Sequence, residues 1–210
     1  MALELMKKVI PQHLTTGCFE YYKFNNSIAP FNGHTLIPST TPVFTTVDGR
    51  TGAGNFNGNF YLEGASLISD CESATTGFTI QMYFYPLGGN SWLFGADSTP
   101  GPLFGGQYSD SGGYMDFWAG GIEGIFPAPT LNQWHSILYV GNPAGATGFK
   151  KLVYLDGGLV YNSDGSGLFG TGATTFKIGD YVSDLARFNG YFSELSFWNI
   201  PLTMYTNPIS

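Results

Sequence analysis

The stretch that decides the fold is Phe188–Thr203, FNGYFSELSFWNIPLT. Strict alternation sets Phe192, Glu194, Ser196 and Trp198 on one face of a strand, and Ser193, Leu195, Phe197 and Asn199 on the other. Each face then carries large apolar groups. Such a strand belongs inside a sheet, with neighbours on both sides, rather than at an edge. Pro201 stops it, because proline has no N–H to give to a ladder.

Working outward, Phe78–Tyr85, FTIQMYFY, is the clearest companion. Phe78, Ile80, Met82 and Phe84 form its core face. Thr79, Gln81, Tyr83 and Tyr85 form a polar and amphipathic face suited to solvent or a ligand. Gln133–Val140 alternates in the same way, with Trp134, Ser136, Leu138 and Val140 against Gln133, His135, Ile137 and Tyr139. Further strands are expected at Phe19–Phe24, Asn55–Leu62, Trp92–Gly95, Leu103–Tyr108, Tyr114–Trp118, Ile122–Phe126, Phe149–Leu155, Leu159–Tyr161 and Phe176–Ile178. Asp156–Gly157 between two such runs is a hairpin signal. Asn25–Thr46 reads as a long surface excursion, of the kind used for binding or assembly.

Composition agrees with an all-β chain. The 210 residues include 30 Gly and 12 Pro, and 17% are aromatic. Charged residues are 11%, against ~25% in ordinary soluble domains. The length suits one sandwich domain at 18–203, preceded by an arm or short helix at 1–17 and followed by a tail at 204–210. In the arm, Leu3, Met6 and Ile10 share a helical face. A net charge of −7 with 8 Lys plus Arg leaves no basic stripe for nucleic acid. No apolar run is long enough to insert in a membrane, and MALELMKKVIPQHL lacks the pattern of a signal peptide. Cys18 and Cys71 are either two buried thiols or a disulfide, which would contribute about 4 kcal/mol in the chain-entropy model.

The fold class expected from the residues is a β-sandwich of two antiparallel sheets. The order of its features resembles the laminin-G-like branch of the concanavalin A-like lectin/glucanase superfamily, a jelly-roll sandwich. Tyr21–Phe24 is similar to that family's opening aromatic strand, and Gly52–Phe60 to its glycine-then-Phe segment. Phe78–Ile80 resembles its FTI strand, Trp134–His135 its W-H strand start, and Leu152–Gly157, LVYLDG, its hairpin. Phe176–Gly179 and Phe188–Leu202 resemble its last two strands. The resemblance runs from Phe19 to Leu202 and implies a fold rather than a function, since the fold hosts lectins, hydrolases, adhesion modules and particle proteins.

Glycoside hydrolysis needs two carboxyl groups facing one space. The glucanases of this superfamily carry theirs as Glu-x-Asp-x-Glu on one strand, and no such run occurs here, so an enzyme is not expected. His13, His34 and His135 show no metal-ligand spacing. No cofactor is expected, except that the resemblance leaves room for Ca²⁺, whose best pair of loop carboxylates is Asp180 and Asp184. Aromatic platforms for sugar are sought at Tyr83, Tyr85, Tyr108, Tyr114, Trp118 and Tyr181. The first functional expectation is a structural protein of a virus or phage particle, located in the virion, with other subunits, including copies of itself, as partners. The alternative is a module that binds surface glycans, placed outside the cell or on its surface.

Overall fold

The structure, a computed structural model, describes residues 18–64, 67, 77–98, 101–109, 112–119, 122–144, 148–163, 175–181 and 186–202. The expected arm and tail, and Cys71, lie outside the described residues. In chain order the strands are β1 (Cys18–Lys23), β2 (Pro30–Asn32), β3 (Ile37–Pro38), β4 (Phe44–Val47), β5 (Arg50–Asn57), β6 (Leu62–Glu63), β7 (Phe78–Pro86) and β8 (Asn90–Ser98). They continue as β9 (Gly101–Ser109), β10 (Tyr114–Ala119), β11 (Ile122–Pro127), β12 (His135–Ala144), β13 (Gly148–Leu155), β14 (Gly158–Ser163), β15 (Thr175–Ile178) and β16 (Asn189–Trp198).

These strands make two antiparallel sheets. The nine-stranded sheet runs β14-β13-β12-β7-β16-β1-β2, with β5 beside β16 and β4 beside β5; the seven-stranded sheet runs β11-β10-β9-β8-β15-β6-β3. Apolar side chains from the two inner faces interlock. Phe176 of one sheet meets Phe197 of the other at 5.6 Å between ring centroids, and Phe117 meets Tyr139 at 4.7 Å. Phe56, Phe84, Phe94, Phe192 and Leu195 lie in the same fully buried cluster. Aromatic pairs in such inclined contacts add to the burial of their area.

β16 is interior, as its composition requires. Gly190–Trp198 pairs with β7 on one side. On the other side Asn189–Phe192 pairs with β5, and Glu194–Trp198 with β1. Its alternation is not strict. Phe192 stands opposite Phe84 and Glu194 opposite Tyr83, so Ser193 is one residue too many. This β-bulge brings Phe192 onto the same buried face as Leu195 and Phe197. The expected grouping of Phe192 with Glu194 is therefore corrected.

The segment read as a surface excursion holds three short strands, β2, β3 and β4. The strand expected from Asn55 runs instead over Arg50–Asn57. Asp48 and Gly49, at φ 45° and 80°, turn β4 into β5 with two successive left-handed residues, the geometry that favours Asp-Gly in two-residue hairpins. The crossing from β2 toward β3 is anchored by Glu20, which is fully buried. The His34 backbone N–H donates to it at 2.8 Å, and the Tyr22 hydroxyl and His34 imidazole also bond to it. Gly33, at φ +109°, must be glycine, since a Cβ there would lie 1.7 Å from Glu20 Oε2.

Candidate functional site

Tyr83 and Tyr85 both point outward from β7 in the nine-stranded sheet, but Tyr83, at 4% exposure, is buried and only Tyr85 is partly exposed. Tyr85 and Tyr191 are direct register partners on β7 and β16, and their ring centroids lie 5.8 Å apart. His135 pairs with Phe84, which brings the preceding Trp134 to 5.4 Å from Tyr85. On the far side, Tyr191 is partnered by Asn55 of β5. Trp134, Tyr85, Tyr191 and Asn55 thus form one row across four neighbouring chain segments. Adjacent rings are inclined at 66° and 69°, so the row is corrugated. Tyr85, Tyr191 and Asn55 are partly exposed, whereas Trp134 is buried.

The β4–β5 hairpin covers the Trp134 end. The Trp134 indole N–H donates to the Val47 carbonyl at 3.0 Å. The Arg50 guanidinium lies 5.0 Å from the Tyr83 ring centre and 5.1 Å from that of Trp134, a double cation–π contact. Its Nη1 donates to Ser193 Oγ at 2.9 Å and stands 3.7 Å from Glu194 Oε1. The bulge makes this possible by turning Ser193 and Glu194 toward the same guanidinium. The Tyr21 hydroxyl reaches Glu194 Oε2 at 3.5 Å, and Gln81 Nε2 donates to the Tyr83 hydroxyl at 3.1 Å.

Burial raises the Glu194 carboxyl above its ordinary 4.5, although Arg50, Lys23 and the Tyr21 hydroxyl pull it down. Burial and the nearby Glu194 push Tyr83 up to about 12, against Arg50 and Gln81. Burial and Glu194 also raise Tyr21 well above 10. For Glu194 and Tyr83, desolvation outweighs the neighbours that favour the charged form. Perturbed groups of this sort beside aromatic rings mark a candidate site.

The other expected residues lie elsewhere. Tyr108 is buried between the sheets. Tyr114, partly exposed, opens β10 in the seven-stranded sheet. The Trp118 backbone pairs with Gly105 and Glu123, while its side chain falls outside the described residues. Tyr181 stacks on Trp92 at 4.6 Å and 26°. Asp180 is fully buried, accepts from the Tyr181 N–H at 2.7 Å and from Arg187 Nε at 3.2 Å, and lies 3.7 Å from Lys177 Nζ. Its partner in the Ca²⁺ expectation, Asp184, lies outside the described residues. No group of three or more His, Cys, Asp or Glu that could hold a metal occurs among the described residues. Among them, no helix is long and apolar enough to cross a membrane.

Sequence reasoning missed Arg50, Asn55 and Tyr191 as site residues, and placed Glu194 only on one face of the closing strand. A signal for Arg50 existed: Asp48–Gly49 is the same hairpin dipeptide as Asp156–Gly157.

The concanavalin A-like lectin/glucanases superfamily matches residues 46–205. The chain belongs to that superfamily. No curated protein sequence matches it. Among solved structures, the superfamily fold recurs in a mutant Trypanosoma rangeli sialidase with trans-sialidase activity, at TM-score 0.67 and 16% identity over 90% of this chain and 32% of that one. Domain 4 of an extracellular arabinanase from Geobacillus stearothermophilus, in complex with arabinotriose, aligns at TM-score 0.58 and 16% identity, over 89% of this chain and 94% of that one. The binding domain of botulinum neurotoxin DC, in complex with rat synaptotagmin II, aligns at TM-score 0.63 and 9% identity, over 90% and 49%. The chain spans about a third of the length of the sialidases it matches. These neighbours overturn the expectation of a virus or phage structural protein: they are carbohydrate-active proteins and a toxin binding domain, not particle components.

Proposed function

We propose that this domain is a non-catalytic carbohydrate-binding module whose ligand lies on Tyr85 and Tyr191, in the row that runs from Trp134 to Asn55. The observation that carries the reading is the row itself: partly exposed tyrosines in register on adjacent strands, with hydrogen-bonding groups at both ends. Sugars present apolar C–H faces that rest on aromatic rings and hydroxyl edges that need polar partners. Tyr85 and Tyr191 supply the rings; Asn55 supplies both a donor and an acceptor, and Arg50 supplies donors. Glu194 serves to hold Arg50 rather than to attack a glycosidic bond. The arabinotriose bound to the arabinanase domain supports the reading by likeness of fold. Such a module works where glycans are displayed, outside a cell or on its surface.

A glycan array followed by calorimetry tests this. Tyr85→Ala and Tyr191→Ala are each expected to weaken binding about tenfold or more, the usual scale for a ring at the centre of an interface. Tyr181→Ala, on the other sheet, is expected to leave affinity within twofold. Because Asp180 is already held by Arg187 and Lys177, a chelator is expected to change nothing. Binding that survives both row variants but fails in Tyr181→Ala would place the ligand on the seven-stranded sheet and refute the proposal.

A further inference from the structure

Resting on the carbohydrate reading, we infer that the ligand is a neutral glycan, with two consecutive sugars laid across the strands on Tyr85 and Tyr191.

Three observations lead there. The first is spacing. Tyr85 and Tyr191 are cross-strand partners 5.8 Å apart, on strands separated by ~4.8 Å. That repeat is close to the length of one sugar unit in an extended chain. A chain running perpendicular to the strands therefore meets one ring per sugar.

The second is the count of ring positions on offer. Trp134 extends the row but is not open to a ligand. Its indole N–H is used by Val47, and the Arg50 guanidinium lies 5.1 Å from its ring centre. Two stacking positions remain, with Arg50 at one end and the Asn55 amide at the other. The β4–β5 hairpin bounds the row at the Trp134 end. Across the sheet from Asn55 comes the segment leading into β4, where the Val43 carbonyl accepts the Asn55 N–H at 2.9 Å and the Val43 side chain is exposed.

The third is charge. Arg50 is the cation of the site, and it already faces Glu194 at 3.7 Å and Ser193 at 2.9 Å. Lys23, the other cation near the carboxylate, is the register partner of Glu194 on β1. The guanidinium in the site is already faced by a carboxylate, and a chain of net charge −7 disfavours a polyanion at long range.

The experiment is calorimetry on the full chain with neutral oligosaccharides of arabinose, xylose, glucose, galactose and mannose, one to six units long. Polyuronate and sulfated chains of matching length serve as charged counterparts. For the sugar that binds, affinity is expected to rise at least tenfold from one unit to two and less than threefold beyond four. Tyr191→Ala is expected to bring longer chains down to the level of a single unit. Asn55→Ala, milder for the fold, is expected to reduce the gain from the second unit about threefold. A single unit that binds as tightly as six would overturn the inference. So would affinity that keeps growing to six units, or a preference for the charged chains. If no chain of any length or charge binds, the carbohydrate reading itself fails.

Discussion

Glu194 shows how one residue can be costly to the fold and useful to a site. Burial raises its carboxyl above 4.5 even though Arg50, Lys23 and Tyr21 favour the charged form. The folded chain therefore holds this proton at a pH where the unfolded chain has released it. By linkage, the stability it contributes is full below the ordinary carboxylate range and is lost as pH rises through the raised value. At neutral pH the ionised group weighs against folding. Glu194→Gln is expected to melt no lower than the parent at pH 7, and the difference is expected to close as pH falls to 4. Thermal unfolding across that range measures it, and a variant clearly less stable at pH 7 would show that the Arg50 pairing outweighs burial. The same substitution weakens the hold on Arg50, so glycan affinity is expected to fall while stability does not.

At the scale of the element, the bulge at Ser193 connects core and site. It keeps Phe192 in the buried cluster and turns Ser193 and Glu194 toward Arg50. Deleting Ser193 restores strict alternation and throws one side of the strand out of phase, since a one-residue slip exchanges the two faces. The expected loss exceeds about 3 kcal/mol, the scale of emptying a large apolar site. Ser193→Ala keeps the bulge and loses one hydrogen bond to a charged group, about 2 kcal/mol. Denaturant midpoints of the two variants separate the backbone effect from the side-chain effect. The interior position of β16 was legible because both faces of FSELSFW carry apolar groups. The bulge was not, because a serine there leaves no mark that ordinary alternation lacks. Likewise Tyr83 and Tyr85 could be read as one face of β7. Tyr191 needs the β7–β16 register, and although Asp48–Gly49 marks the hairpin that carries Arg50, its flanks, VFTTV and RTGAG, alternate too weakly to show which way Arg50 points. Tyr108 was placed on a surface because Gly105–Gly106 breaks the pattern that would have assigned it to the core.

For the whole molecule, the pairing of β1 with β16 sets how the sandwich is completed. The nine-stranded sheet lacks a middle until residues 189–198 enter between β7 and β1, so folding waits on contacts distant in sequence and belongs to the slow range of β topologies. The same pairing has a mechanical meaning. Cys18 stands opposite Trp198, so the flanking chain enters and leaves at one end of one strand pair. Tension through those flanks loads the β1–β16 hydrogen bonds one after another and peels them apart. Force spectroscopy with handles at residues 18 and 198 is expected to open the domain at a lower force than handles at 23 and 198, which would load the whole ladder in shear; equal forces would locate the mechanical barrier elsewhere. A module that grips its ligand through β7, β16 and β5 would then yield first along β1, under tension on its flanks, before the ring row is disturbed.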